Sequence, residues 1–319
     1  MPAATPRIVT LTLNPTIDLA CEAERVQPVR KTRTFAERHD PGGGGVNVAR
    51  VVRELGGETL ALILSGSVTG HFLAELLSEG GVPFRAIRIG GRTRISQTVL
   101  DRSSGQEYRF VPEGPTVAEP EWRAVLEAVE AAAEPGGWLV ASGSLPRGVP
   151  DDFYVRVAEV TARKGARLVL DTSGPALRAA IAAGGVELVK PSQGEFEGLV
   201  GRPLREPAAQ EAAARELVAS GRVRLAAVTL GHLGAFLAGP EGVLRLPALD
   251  VPVRGAVGAG DSFVGAMTLA LAHGRSARDA FAWGVAAGAA AVSNAGTAHP
   301  RRATVEALRR RITEVPMEG

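Results

Sequence analysis

Along the 319-residue chain, short apolar runs alternate with longer segments whose apolar positions recur every three or four residues. The runs at 8–13, 60–64, 138–141, 167–170, 188–189 and 225–229 are nearly unbroken, which predicts strands buried on both faces. Between them, 46–55, 71–79, 121–133, 152–164 and 207–220 carry helical spacing and capping residues. Strands alternating with helices predict an α/β fold whose mostly parallel sheet is covered on both faces. Two segments, 15–40 and 89–111, break this rhythm. The second runs Thr93-Arg94-Ile95-Ser96-Gln97-Thr98-Val99, polar and apolar in turn, which predicts half-exposed antiparallel strands. Together the two excursions are expected to form one small sheet, a lid beside the carboxyl edge of the large sheet, where open α/β folds bind ligands. From Gly258 onward the pattern predicts helices at 261–272 and 277–293, rich in Ala and Gly and suited to close packing. No linker, repeat or low-complexity stretch divides the chain, so 1–319 is expected to form one domain.

Composition narrows the function classes. The chain is 45% hydrophobic and 22% charged, as in a soluble enzyme, and no apolar run approaches the roughly 18 residues of a membrane span. Residues 1–7 lack the basic and apolar regions of a secretory signal, so the cytoplasm is the expected compartment. A single cysteine, Cys21, excludes an internal disulfide framework and a multi-cysteine zinc site, and the five histidines show no ligand spacing. A net charge of +2 with 4% aromatic residues argues against a nucleic-acid partner. Of 36 basic residues only Lys31, Lys164 and Lys190 are lysines, which singles those positions out.

The candidate chemistry lies where strands meet glycine turns. Pro41-Gly42-Gly43-Gly44-Gly45-Val46-Asn47 enters a helix, a junction that suits an anion or hydroxyls; a plain flexible loop is the alternative. No GxxxxGK[ST] occurs, and Asn47 stands where a GxGxxG fingerprint needs its last glycine. Asp18 is expected just after the first strand, as a polyol ligand or simply a turn residue. Arg94 and Arg109 on the lid, with Lys31, could converge on a phosphate. Lys190, Ser192 and Glu195 share a strand-to-helix turn: Glu195 could reach a metal through water, and Ser192 could only cap the helix. The turn after Thr229, with Gly231, suits a nucleotide or a hairpin. In Gly255-Ala256-Val257-Gly258-Ala259-Gly260-Asp261 the glycines permit a tight turn whose N–H groups open a helix as an anion hole, beside which Asp261 could take a proton or merely cap.

Together PGGGGVNVAR, SGSLPRGV, LDTSGPAL, ELVKPSQGE, GAGDSFVGAMTLALA and WGVAAGAAAVSNAGT resemble, in order and nearly end to end, the PfkB branch of the ribokinase-like carbohydrate kinases. Four glycines before VNVAR resemble the branch's ATP-dependent 6-phosphofructokinases more than its 1-phosphofructokinases or tagatose-6-phosphate kinases. The resemblance implies a three-layer α/β/α fold with a β-lid, and phosphoryl transfer from ATP with Mg2+ to the C1 hydroxyl of fructose 6-phosphate. It implies that Asp261 is the base, with Gly258, Ala259 and Gly260 as the anion hole. Asp18, Gly43, Gly44, Asn47 and Ser144 would contact the sugar, and Lys31, Arg94 and Arg109 its phosphate. Lys190, Ser192, Thr229 and Gly231 would face ATP, and Glu195 the magnesium shell. A monovalent cation such as K+, of the kind many relatives bind, would sit among Gly255, Val257, Ala291, Asn294 and Gly296, and a homodimer would form through the lid. Two departures stand out: Ser192 replaces a common family Asn, and Gly255-Ala256 replaces Asp-Thr or Ser-Thr. The rival readings are kinases of fructose 1-phosphate or tagatose 6-phosphate, and a sugar-phosphate-binding protein without catalysis.

Overall fold

The structure is a computed structural model and describes residues 7–255, 257–294 and 299–313. The strands, in chain order, are β1 (Ile8–Thr12), β2 (Thr16–Ala23), β3 (Phe35–Gly42), β4 (Thr59–Ser65), β5 (Phe84–Arg88), β6 (Arg94–Asp101), β7 (Gln106–Phe110), β8 (Trp138–Ser142), β9 (Arg167–Asp171), β10 (Val186–Val189), β11 (Val223–Thr229), β12 (Ala235–Gly239) and β13 (Gly242–Leu246). The helices are α1 (Gly44–Glu54), α2 (Ser67–Glu79), α3 (Glu119–Ala132), α4 (Phe153–Arg163), α5 (Gly174–Ala183), α6 (Gln193–Val200), α7 (Pro207–Ala219), α8 (Ala259–Ala272), α9 (Ala277–Val292) and α10 (Arg302–Thr313).

The large sheet runs β13-β12-β11-β10-β9-β8-β1-β4-β5, parallel from β11 to β5 and closed at one edge by the antiparallel β12–β13 hairpin. Its central strands are apolar on both faces because helices cover both: β1 reads IVTLT and β8 WLVAS, every residue buried. One face packs Val9, Leu11 and Leu139 against α3, α4, α5 and α7; the other packs Ile8 and Val140 against α1, α8 and α9. This is the expected three-layer ribokinase-like α/β/α fold. Small residues let its helices approach closely. A Cβ on Gly265 of α8 would stand 3.2 Å from the Val48 carbonyl oxygen and from Val51 of α1. One on Gly284 of α9 would stand 3.1 Å from the Phe263 ring.

The predicted strands and helices all form, with ends displaced by a few residues. The pattern reading omitted β5, β13 and helices α5 and α10, and held β12 only as the hairpin alternative after Thr229. The two excursions do build a single four-stranded sheet, ordered β3-β2-β6-β7. Its strands are not all antiparallel, as the alternation suggested: β2 and β6, one from each excursion, pair in parallel. The reason is topological. Both strands leave the same edge of the large sheet and run away from it in the same direction, so only their hairpin neighbours β3 and β7 return antiparallel.

Chain order reverses beside β1, which goes on to β4 and β5 on one side and has β8, β9 and β10 on the other. Such a switch point leaves a crevice at the carboxyl ends of the strands. The residues that end β8 and β9, Ser142 and Asp171, lie there with the start of α1.

Candidate active site

Glycines allow α1 to enter the crevice. Gly43, at φ 107°, precedes the helix, and its carbonyl accepts the Asn47 N–H at 2.9 Å. A Cβ on Gly44 would lie 2.2 Å from Ser142 Oγ, and one on Gly45 would lie 2.6 Å from the Leu11 carbonyl oxygen. The helix start is therefore pressed directly onto β1 and the end of β8. One turn on, Asn47 Nδ2 donates to Asp261 Oδ2 at 2.9 Å.

Asp261 arrives from the other side, in the first turn of α8, after Gly258 in the left-handed region at φ 74°. The capping alternative does not hold: no side chain caps α8, and the Asp261 oxygens are taken by Asn47 and by Ser142 Oγ, 3.4 Å away. Ser142 Oγ is also 3.4 Å from Asp171 Oδ2, and Asp171 Oδ1 is 3.1 Å from Lys190 Nζ. Burial, with repulsion from Asp171, pushes the Asp261 carboxyl up to about 6, against Asn47, Lys190 and Ser142. Lys190 is 5% exposed, and burial works against its charge, but Asp171, Glu195 and Asp261 outweigh this and hold it above the ordinary lysine value. A Cβ on Gly260 would be 3.2 Å from its ammonium. The first N–H groups of α8 and one buried cation thus flank a carboxylate, an arrangement that can accept a proton while stabilising negative charge.

Ser142 and Asp171 were not singled out from the sequence. The signal was available, because Asp171 ends an apolar strand run inside LDTSG, where a carboxylate belongs to the sheet edge rather than the core.

Ser192 caps α6. Its backbone N–H and its hydroxyl each lie 2.8 Å from Glu195 Oε2, a capping box that occupies that carboxylate oxygen. An isolated parallel bridge sets Ser192 beside Thr229, so Lys190, Ser192 and Thr229 stand side by side on adjoining chain segments. Gly231 follows in an exposed 3-10 turn, and β11 and β12 form the hairpin considered for this segment.

On the small sheet, register gathers the remaining candidates. Asp18 does not sit on a turn after β1 but within β2, because β2 starts at Thr16 and carries it into the sheet. It pairs with Asp40 on β3 and Ser96 on β6, while Thr98 pairs with Arg109 on β7. Alternation then places Asp18, Asp40, Arg94 and Arg109 on one face. Arg94 donates to the carbonyls of Pro112 and Asn14, both at 2.9 Å. Ser144, exposed at the crevice, accepts from Asn14 Nδ2 at 3.4 Å. Lys31 lies exposed in the β2–β3 connection, and among the described residues nothing joins it to Arg94 or Arg109.

Of the proposed cation ligands, the carbonyl of Ala291 accepts from the Asn294 backbone N–H at 3.0 Å, and Gly255 N–H reaches the Val292 carbonyl at 3.3 Å. Val257 opens the turn that leads into α8. Gly296 and Ala256 lie outside the described residues. Among the described residues no helix is long and apolar enough to cross a membrane.

The pfkB family carbohydrate kinase model matches residues 11–304. The chain belongs to that family. Similarity continues at the level of individual relatives. The kinase is 43% identical over 301 residues to the ATP-dependent 6-phosphofructokinase isozyme 2 of Mycobacterium tuberculosis, covering 94% of this chain and 88% of the relative. It superposes on phosphofructokinase-2 of Escherichia coli in complex with potassium at a TM-score of 0.94, with 39% identity over 97% of this chain and 100% of that one. The same E. coli enzyme in complex with fructose-6-phosphate gives a TM-score of 0.92 and 38% identity over the same shares.

Proposed function

We propose that the protein is an ATP-dependent 6-phosphofructokinase, transferring the γ-phosphoryl group of ATP to the C1 hydroxyl of fructose 6-phosphate and releasing ADP. The observation that carries this reading is Asp261, a carboxylate raised to about 6 and held by Asn47 and Ser142 at the opening of α8. Ionised at neutral pH, it takes the proton of the attacking hydroxyl as the new O–P bond forms. Charge developing on the transferred group meets the N–H groups of Ala259, Gly260 and Asp261 and the Lys190 ammonium.

Asp18 accepts hydrogen bonds from the sugar hydroxyls, with Asn47, Ser144 and the Gly43–Gly44 backbone. Arg94 and Arg109, on the same face of the small sheet, take the sugar phosphate, and Lys31 joins them only when the sheet moves or a second subunit supplies it. Ser192, Thr229 and Gly231 border the nucleotide.

The carboxylates of Asp171, Glu195 and Asp261 act on Lys190 together, yet among the described residues no three acidic, histidine or cysteine groups form a self-contained metal site. That donor set fits Mg2+ arriving with the nucleotide, with Glu195 its protein-side partner through water; bound there, the ion would neutralise phosphate charge. Carbonyls of Gly255, Val257, Ala291 and Gly296, with Asn294, would take K+, which the E. coli relative binds.

The small sheet serves as the lid of a single kinase domain. On its outer face Ile95, Tyr108 and Phe110 are exposed, an apolar surface suited to pairing the lids of a homodimer. The cytoplasm, where both substrates are supplied, is the proposed compartment.

A coupled ADP-release assay over fructose 6-phosphate, fructose 1-phosphate, tagatose 6-phosphate and free fructose tests this reading. The expected result is a kcat/KM for fructose 6-phosphate at least tenfold above the others. A preference for another sugar phosphate would overturn the substrate, and sugar-phosphate binding without ADP release would overturn the kinase.

A further inference from the structure

Asp18 and Asp40 face one another across the β2–β3 pair, an arrangement that like charges disfavour. The Asp18 carboxylate also rests on the backbone of Gly42, where a Cβ would come within 2.1 Å of its Oδ2. The end of β3 is therefore the plate against which Asp18 is held, and what fixes that plate comes from another element. Arg50, on α1 one turn beyond Asn47, donates through Nη1 to the Pro41 carbonyl at 3.1 Å and through Nη2 to Asp40 Oδ1 at 3.3 Å. Its side chain is 11% exposed.

We propose that Arg50 is a positioning residue for the sugar site: it ties strand β3 to α1 and keeps the Asp18 carboxylate in place and ionised when the sugar phosphate binds. The inference rests on the reading of Asp18 as sugar ligand and of Arg94 and Arg109 as phosphate ligands. Its logic is a charge count over the face. Burial, then Asp40, drive Asp18 toward protonation, to about 6, and Arg50, Arg94 and Arg109 oppose them. A bound phosphate neutralises Arg94 and Arg109, but Arg50 faces the opposite side of Asp18, toward Asp40. Of those three cations it is the one that continues to favour the ionised carboxylate in the complex.

The charged groups around this face are Arg38 and Asp40 on β3, Arg50 on α1, Arg94 on β6 and Arg109 on β7. Arg38 Nε donates to Asp40 Oδ2 at 2.8 Å, so each Asp40 oxygen meets an arginine. Behind Arg50 a cavity is lined by His39, Arg53, Glu54, Glu79 and His299, with His299 Nε2 3.4 Å from Glu54 Oε2. Burial and then Arg50 hold His299 down, so R50M raises that imidazole as well, whereas D40N keeps Arg50 in place and reads Asp18 apart from it.

The test measures KM and kcat for the sugar phosphate that the wild type turns over best, from pH 5.5 to 9, in wild type, R50K, R50M and D40N. For R50M the expected result is a KM at pH 7 raised at least tenfold, a kcat within threefold, and the acid limb of 1/KM moved upward by about one pH unit. D40N, which deletes the like charge, is expected to move that limb downward, and R50K to fall between R50M and wild type. Opposite movements in R50M and D40N are what a staple without electrostatic effect would not produce. If R50M fails to fold, the downward limb of D40N with the intermediate R50K decides the matter. A limb that stays in place in every variant, or moves the same way in R50M and D40N, overturns the proposal while leaving the kinase reading intact. A wild type that phosphorylates none of the sugar phosphates overturns both.

Discussion

Replacing Asn47 by alanine probes the hydrogen bond that holds the base. Asn47 Nδ2 donates to Asp261 Oδ2 at 2.9 Å and favours the ionised carboxylate, against burial and Asp171. A hydrogen bond to a charged group contributes about 1.5 to 3 kcal/mol, and one pKa unit corresponds to about 1.4 kcal/mol, so the loss should raise Asp261 by roughly one to two units from its value of about 6. The sign follows from the role: the base works when ionised, so raising its pKa removes activity at low pH and spares it at high pH. At pH 7 a carboxyl near 6 is about 90% ionised, and one near 7.5 about a quarter ionised, a roughly fourfold fall in kcat from protonation alone. The assay is kcat at saturating sugar phosphate and MgATP from pH 5.5 to 9.5, since Asn47 also borders the sugar and its loss will raise KM. Substrate titrations are common to both proteins, so the displacement between profiles reports the enzyme group. An acid limb that coincides with wild type, or a loss equal at every pH, would refute the reasoning.

Three further outcomes follow from the geometry. Gly44→Ala brings a Cβ within 2.2 Å of Ser142 Oγ and 2.9 Å of the Gly143 nitrogen, so it should cost about 1–3 kcal/mol in urea unfolding and most of the activity. Lys190→Met leaves Asp171 buried without its partner at 3.1 Å and should destabilise by about 3–5 kcal/mol, whereas Lys190→Met with Asp171→Asn should recover more than half of that loss but no activity. Asp261 ionises less readily folded than unfolded: its raised pKa contributes stability that is present below pH 3.8 and lost as pH rises through about 6. Asp261→Asn should therefore raise stability at pH 7.5 by up to about 3 kcal/mol, with little change at pH 4, as read by thermal unfolding at the two pH values.

The large sheet was legible in the sequence because its strands are buried on both faces. Unbroken runs such as 138–141 and 168–170 leave few alternatives, and the helices between them carry a clear stripe. What stayed hidden follows from weaker signals. Strand β5, FRAIR, lies at the edge of the sheet with three of five residues exposed, so its pattern lacks a buried run. The parallel β2–β6 pair joins strands some 80 residues apart, and alternation reports which face is buried, not the direction of the neighbour.

The site was legible where glycine turns marked it. Gly43, Gly44, Asn47 and the Gly258–Asp261 turn do converge, because their glycines are the positions at which a Cβ or the backbone angle would forbid the approach. Asp171 and Ser142 carry no such mark. They matter through the chain Lys190–Asp171–Ser142–Asp261, which exists only once β8, β9 and β10 are aligned. The rarity of lysine pointed to Lys190, which is buried among carboxylates, but equally to Lys164, half-buried at the end of α4.

The central claim is that Asp261 is the base of a phosphoryl transfer to a sugar phosphate. Turnover and ligand binding by Asp261→Asn test it most directly, with ADP release at saturating fructose 6-phosphate and MgATP measured beside titration of each ligand. The account predicts a kcat lowered by about two to four orders of magnitude, with both dissociation constants within about fivefold of wild type. A variant that binds both substrates and keeps kcat within tenfold of wild type would contradict it.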